Sequence, residues 1–182
     1  MNKEDIRYNL LRKRKAIKNK FVLEKKILEK LKIFNFDEKE IVSGYISSNS
    51  EADILPFLNY LGKKKINVCL PFIKKINHHL FFKKWIYNET KLIEGKFNIL
   101  VPDNNTFIEP SLLLIPLIAF DLKKNRIGYG GGYYDRTISF LEKKRNIITI
   151  GVAFDEQQIE KVPTMQYDKK LNYIITQTRI IE

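Results

Sequence analysis

Two apolar runs, the uninterrupted Leu112-Leu-Leu-Ile115 and Ile147-Ile-Thr-Ile-Gly-Val-Ala-Phe154 with Thr149 as its one polar side chain, limit what this chain can fold into. Neither alternates polar with apolar residues, so each reads as a strand covered on both faces, as in a parallel sheet. Between them, Tyr134, Ile138 and Leu141 fall on one face of a helical pattern that begins near Asp135. Strand, helix and strand in that order form a crossover unit, and the rest of the chain repeats the theme. Glu40–Ser47, Lys65–Leu70 cut by Pro71, and Tyr173–Thr176 read as further strands. His79–Trp85 reads as an antiparallel one. Ile54–Leu61 reads as a short helix, with Pro56 in its first turn and Gly62 as its stop. Residues 3–33 are helical by period, as one helix or two, because no proline or glycine divides them. Residues 86–110 read as loop. The expectation is a single α/β domain over residues 1–182, three layers (α/β/α) with a mostly parallel sheet.

The crossover carries the densest local signal, Arg126-Ile-Gly-Tyr-Gly-Gly-Gly-Tyr-Tyr-Asp-Arg136. It holds four of the chain's eight glycines, namely Gly128, Gly130, Gly131 and Gly132. Such a cluster serves positive φ, close approach to a ligand, or a flexible tip. A glycine loop opening a helix aims N–H groups and the positive helix end at one point, which suits a phosphate, and Arg126 and Arg136 can grip it bidentately. The loop is neither a Walker A, lacking Lys-Ser or Lys-Thr after the last glycine, nor a dinucleotide fingerprint, having Tyr133 at the sixth position. Asp135 reads equally as a helix cap or as a hard oxygen ligand for Mg²⁺. In the α/β order, this loop and the polar loop Ser47–Glu51 both follow strand carboxyl ends, where ligands bind.

Composition narrows the rest. At 44% hydrophobic and 12% aromatic, the chain is a folded globule, and it lacks an apolar run long enough to span a membrane. Its first residues carry acids and no apolar block, so a cytoplasmic protein without a signal peptide is expected. Cys69, the single cysteine, excludes internal disulfides and reads as packing. Residues 1–32 hold twelve Lys or Arg against four acids, +8 of the net +12. That excess fits a solvated basic helix better than a nucleic-acid arm, since aromatics are not interleaved. A basic protein also attracts anionic small molecules. Lys3 and Arg7 lie one turn apart on the same side. His78 and His79, adjacent on a strand, would face opposite ways and make a poor metal pair.

The stretch 126–136 closely resembles the signature of the 5-formyltetrahydrofolate cyclo-ligases, also called 5,10-methenyltetrahydrofolate synthetases. The resemblance extends to Lys3-x-x-Ile-Arg7, Glu51, Leu70-Pro71, Pro102, Pro116-x-x-Ala-Phe-Asp121, Ala153-Phe154-x-x-Gln157 and Val162-Pro163. It implies an ATP- and Mg²⁺-dependent closure of 5-formyltetrahydrofolate to 5,10-methenyltetrahydrofolate in a three-layer α/β fold. By resemblance, Lys3, Arg7 and the loop Arg126, Ile127, Gly128, Tyr129, Gly130, Gly131, Gly132, Tyr133 and Tyr134 bind ATP. Arg126 and Arg136 serve catalysis, Asp135 takes Mg²⁺, and Ile46 and Glu51 hold the pterin. The family's second C-terminal aspartate, which joins the metal site, is Asn172 here, implying a metal site with one negative charge fewer. Val101 and Gln166 also replace acids common in the family. The partners implied are small molecules, reduced folate and ATP, taken up by a monomer with no membrane or nucleic-acid role. The alternatives are an enzyme of the same fold acting on a sugar phosphate or acyl-CoA, and a basic nucleic-acid-binding module.

Overall fold

The computed structural model describes residues 2–182. Helix α1, Lys3–Lys15, begins with a capping box. The Asn2 side chain accepts from the N–H groups of Glu4 and Asp5, and the Asp5 carboxylate accepts from the Asn2 N–H. Acids in its first turn and four basic residues in its last complement the helix dipole. Asn19, at φ 53° and ψ 33°, then breaks the chain before α2, Lys20–Leu31. The basic N-terminal segment is therefore two helices, divided by an asparagine. Asparagine tolerates the left-handed region and so does the work that glycine or proline does elsewhere.

The central sheet has seven strands. In spatial order they are β11 (Ile180–Ile181), β10 (Tyr173–Ile175), β9 (Ile148–Val152), β6 (Leu112–Pro116), β1 (Ile41–Ser43), β2 (Asn67–Phe72) and β3 (Phe81–Trp85). The inner neighbours are parallel and the two edge strands β3 and β11 antiparallel. Successive side chains on a strand point to opposite faces, and β6 shows the result. Leu112 and Leu114 join Ile27 and Leu31 of α2 and Phe57, Leu58 and Leu61 of α3 (Leu55–Lys63). Leu113 and Ile115 join Ile138 and Leu141 of α4 (Tyr133–Glu142) on the other side. Helices on both faces of a mostly parallel sheet give the three-layer α/β arrangement expected from the sequence.

Several local expectations are corrected. Pro71 does not end β2. It pairs with Phe82 of β3 beyond the end of β1, so its missing N–H falls where the sheet has only one ladder. Gly62 does not stop α3, which runs on to Lys63; the left-handed residue is Lys65, at φ 60°. The segment 86–110 contains a hairpin of β4 (Leu92–Glu94) and β5 (Leu100–Pro102). His78 and His79 precede β3 instead of lying on it, and their rings contact each other with centroids 4.2 Å apart. Cys69 is fully buried in the core, and that burial pushes its thiol well up, as a packing role requires.

A second small hairpin decides where the site lies. After β6 the chain makes β7 (Ala119–Phe120) and β8 (Arg126–Ile127) before the glycine loop begins. Ile6 of α1 packs with Ala119, Ile127 and Val162, which lays α1 along that hairpin rather than on a face of the sheet.

Gly44, just past β1, marks a close approach. A Cβ there would stand 2.5 Å from both Cδ atoms of Leu58 and 3.0 Å from its Cγ. Because Leu58 is fully buried and its branch point is also too close, Gly44→Ala is expected to destabilise the fold by about 1–3 kcal/mol through overpacking. Chemical denaturation with an unchanged m-value and a lower midpoint is the measurement that checks this.

Candidate active site

A cleft of about 1830 Å³ opens at the carboxyl ends of the parallel strands, lined there by Tyr45 and Ile46 after β1, Pro71 in β2 and Pro116 at the end of β6. The glycine loop forms one wall and the loop 47–51 another, so the two loops expected to share a cleft do so. The glycine loop arrives from the β7–β8 hairpin instead of directly from a sheet strand, and the hairpin carries it across to α1.

Two glycines are conformationally required, Gly130 at φ 99° and Gly132 at φ 62°. Gly132 is the N-cap of α4, and no side chain caps that helix. The free N–H groups of the first turn are thus available beside the cleft, the condition for anion binding at a helix start. Asp135 is accordingly no cap. Its Oδ1 accepts from Arg126 Nη2 at 2.9 Å and from the Lys169 N–H at 3.0 Å.

Four cationic side chains gather here. Arg126 is 8% exposed, and its Nε is buried without a hydrogen-bond partner. Such a donor is costly to leave unmet and is a natural point for an oxyanion. Arg7 donates from Nε to the Gly128 carbonyl at 2.8 Å, and its guanidinium lies against Gly130. Lys3 donates to Asp168, which also accepts from the Met165 N–H at 2.7 Å. Arg136 donates to the carbonyls of Gly131 and His78, and lies over the Tyr133 ring. The turn-apart pair Lys3 and Arg7, unremarkable by spacing alone, therefore reaches the glycine loop because α1 lies along the hairpin.

Glu51 sits in the same cleft and is only 7% exposed. It accepts from the Ser48 N–H at 2.8 Å and from the Ser48 hydroxyl at 3.3 Å, and the Tyr129 hydroxyl nearby also favours its charged form. Burial raises its pKa above the ordinary carboxylate value, while those hydrogen bonds and the charge of Arg14 pull it back down. Ile46 supplies an apolar wall nearby.

Asn172 is not in the cleft. Its side-chain oxygen accepts from the N–H and the hydroxyl of Thr149, each at 2.8 Å, near the start of β9. Since β9 and β10 are parallel, that is the amino end of the strands, while the cleft lies at the carboxyl end. The carboxylate that does line the cleft is Asp168, four residues earlier. Nothing local in the sequence singles out Asp168, because no short-range pattern shows that residues 163–168 cross back over the site. Among the described residues no group of three or more His, Cys, Asp or Glu is placed to hold a metal alone. Asp135 and Asp168, each already engaged by a cation and an N–H on one oxygen, suit Mg²⁺ only where a phosphate ligand supplies further oxygens, the usual arrangement for this ion.

Arg14 was also missed. It is 1% exposed and ties three segments together, donating to the carbonyls of Leu117 and Asn49 and to the Tyr129 hydroxyl, each at 2.7 Å. Its spacing after Lys3 and Arg7 on α1, seven residues on from Arg7, was the available signal.

Known proteins resemble this chain over most of its length. A family model described as the 5-formyltetrahydrofolate cyclo-ligase family matches residues 1–177. The 5-formyltetrahydrofolate cyclo-ligase of Haemophilus influenzae is 34% identical over 133 residues, 70% of each chain. That of Mycoplasma genitalium is 32% identical over 184 residues, covering 96% of this chain and 98% of the other. Among solved structures, the 5,10-methenyltetrahydrofolate synthetase of Aquifex aeolicus superposes with a TM-score of 0.81 at 26% identity, covering 99% of this chain and 92% of that one.

Proposed function

The chain belongs to the 5-formyltetrahydrofolate cyclo-ligase family, and from that premise we propose how its cleft carries out the family's reaction. That reaction is the ATP-dependent closure of 5-formyltetrahydrofolate to 5,10-methenyltetrahydrofolate, with ADP and phosphate as products. The observation that carries the assignment is the convergence of Lys3, Arg7 and Arg126 on the glycine loop, in one cleft with buried Glu51.

A formamide oxygen leaves poorly, and N10 of the folate cannot expel it unaided. Transfer of the γ-phosphoryl group to that oxygen breaks the bond to ADP and turns the oxygen into part of a phosphate. N10 then attacks the formyl carbon, the carbon–oxygen bond breaks, phosphate departs and N10 loses its proton. The protein supplies no nucleophile. It holds the two substrates in line and neutralises charge as phosphate is transferred and released.

In this reading Lys3, Arg7 and the N–H groups of Gly128 to Tyr134 hold the ATP phosphates. Arg126 and Arg136 face the transferred group, and the unmet Nε donor of Arg126 supports the first of these roles. Glu51 accepts from the paired N–H donors of a pterin edge, against Ile46. Asp135 and Asp168 would hold Mg²⁺ together with the phosphates, and the ion would neutralise phosphate charge. Lys3 and Arg126 then exchange their carboxylate partners for phosphate oxygens. A monomeric state and a cytoplasmic location belong to the same proposal; no described helix is long and apolar enough to cross a membrane. The nucleic-acid module is not favoured, because Lys3 and Arg7 of the basic helix face the cleft.

The test is formation of methenyltetrahydrofolate, followed by its absorbance, in purified protein. Turnover is expected only when 5-formyltetrahydrofolate, ATP and Mg²⁺ are all present. Turnover without ATP, or none from folded protein, overturns the reading.

A further inference from the structure

Arg14 lies outside the cleft lining and takes no part in the chemistry above, yet it is the most deeply buried charge among the described residues. Three of its hydrogen bonds join three different segments. Leu117 follows β6, Asn49 belongs to the loop that ends in Glu51, and Tyr129 belongs to the glycine loop. The loop it pins is conformationally unfavourable, with Asn49 at φ 47° and Ser50 at φ 68°, and Lys20 holds the Ser50 carbonyl from α2. Arg14 Nε is buried with no partner. One guanidinium nitrogen makes the connection, since Arg14 Nη2 donates both to the Tyr129 hydroxyl and to the Asn49 carbonyl, two residues before Glu51, and Tyr129 and Glu51 line the same cleft.

We propose that Arg14 and Tyr129 are positioning residues that couple the nucleotide loop to Glu51, so that ATP and folate promote each other's binding. The inference rests on the reading of Glu51 and the glycine loop given above. Its physical content is a single rigid path. Ordering the glycine loop around phosphates fixes Tyr129, and Tyr129 fixes the Arg14 fork that holds Asn49 and, with it, the loop that presents the Glu51 carboxylate to the pterin. By linkage the effect is reciprocal, with folate tightening ATP by the same factor.

The groups facing Glu51 are Ser48 on its own loop, Arg14 from α1, Tyr129 from the glycine loop, Tyr45 after β1 and Tyr134 from α4. Of these, Ser48, Tyr129 and Arg14 favour the carboxylate and oppose its burial. Loss of the Tyr129 hydroxyl therefore lets Glu51 take up a proton at higher pH.

The experiment uses wild type, Tyr129→Phe and Arg14→Lys, with 5-formyltetrahydrofolate binding measured by calorimetry with and without Mg²⁺ and a non-hydrolysable ATP analogue. Wild type is expected to bind folate roughly 5- to 150-fold tighter with the analogue, the usual span of such coupling. In Tyr129→Phe, whose ring is half-exposed and whose fold should persist, that factor is expected to fall towards one. The acid limb of kcat/KM for folate should also move to higher pH, a change that a merely structural role would not produce. Arg14→Lys keeps the charge but not the fork, and should lose coupling as well. Active wild type without coupling, or Tyr129→Phe with coupling and acid limb unchanged, overturns this inference alone. Wild type that forms no methenyltetrahydrofolate overturns the parent reading and this one with it.

Discussion

Replacing Arg126 by methionine is expected to lower kcat by roughly two to three orders of magnitude, the cost of removing a preorganised donor from developing charge. Methionine keeps much of the side-chain volume, so lost packing contributes little. The change has a second effect. Arg126 and Asp135 form a largely buried pair, with side chains 6% and 18% exposed, and removing one partner leaves the other charge uncompensated. Asp135 retains the Lys169 N–H, which limits the damage. Pairing the change with Asp135→Asn separates the two effects. The double variant should regain much of the lost thermal stability while its kcat stays low. Arg126→Lys retains the charge without the planar fork and should fall between wild type and methionine. An Arg126→Met protein that is folded and has wild-type kcat removes Arg126 from the catalytic machinery.

Glu51→Gln should raise the KM for 5-formyltetrahydrofolate by about two orders of magnitude and leave that for ATP much less affected. A hydrogen bond to a charged acceptor is worth about 1.5–3 kcal/mol, and the new amide also turns a donor toward the donors of the pterin edge. The pH dependence follows from the direction of the Glu51 shift. Burial places its folded pKa above the unfolded value, so binding in wild type weakens as pH falls through that raised pKa, and Glu51→Gln abolishes this limb. For stability the sign is the reverse. A carboxyl with a raised folded pKa favours the folded state at pH below its unfolded pKa, and that contribution is lost as pH rises through the folded pKa. Near neutrality the ionised Glu51 is therefore a cost, and Glu51→Gln is expected to leave the protein as stable or more so in thermal unfolding. Loss of binding with no loss of stability is the expected signature of a site built at the expense of the fold. Unchanged folate KM in Glu51→Gln removes Glu51 from the pterin site.

The legible parts of this protein were those written in local pattern. The bare apolar run 112–115 can only be a strand covered on both faces, and it forms the middle of the sheet. The glycine cluster at 128–132 marked a helix start, and α4 begins there; that no side chain caps it was decided by the structure. Less legible were features where one residue type has several uses. Gly62 read as a stop but lies within a helix, whereas Asn19 and Lys65 took the left-handed positions without glycine. Pro71 read as the end of a strand because the pattern does not reveal that β1 stops at Ser43 and leaves one side of β2 without a ladder.

The sequence by itself determined the layered α/β class, the glycine loop at a helix start and, through its spaced motifs, the family. These depend on interactions between near neighbours in the chain, whose periods and spacings survive in one dimension. Only the tertiary structure decided which charges share a site. Lys3 meets Asp168 across 165 residues and Arg14 meets Tyr129 across 115, because the β7–β8 hairpin carries the glycine loop to α1. The same folding leaves Asn172 at the far end of the strands and brings Asp168 into the cleft. Parallel strands place their two ends a full strand length apart, so four residues of sequence suffice to separate a residue in the site from one outside it.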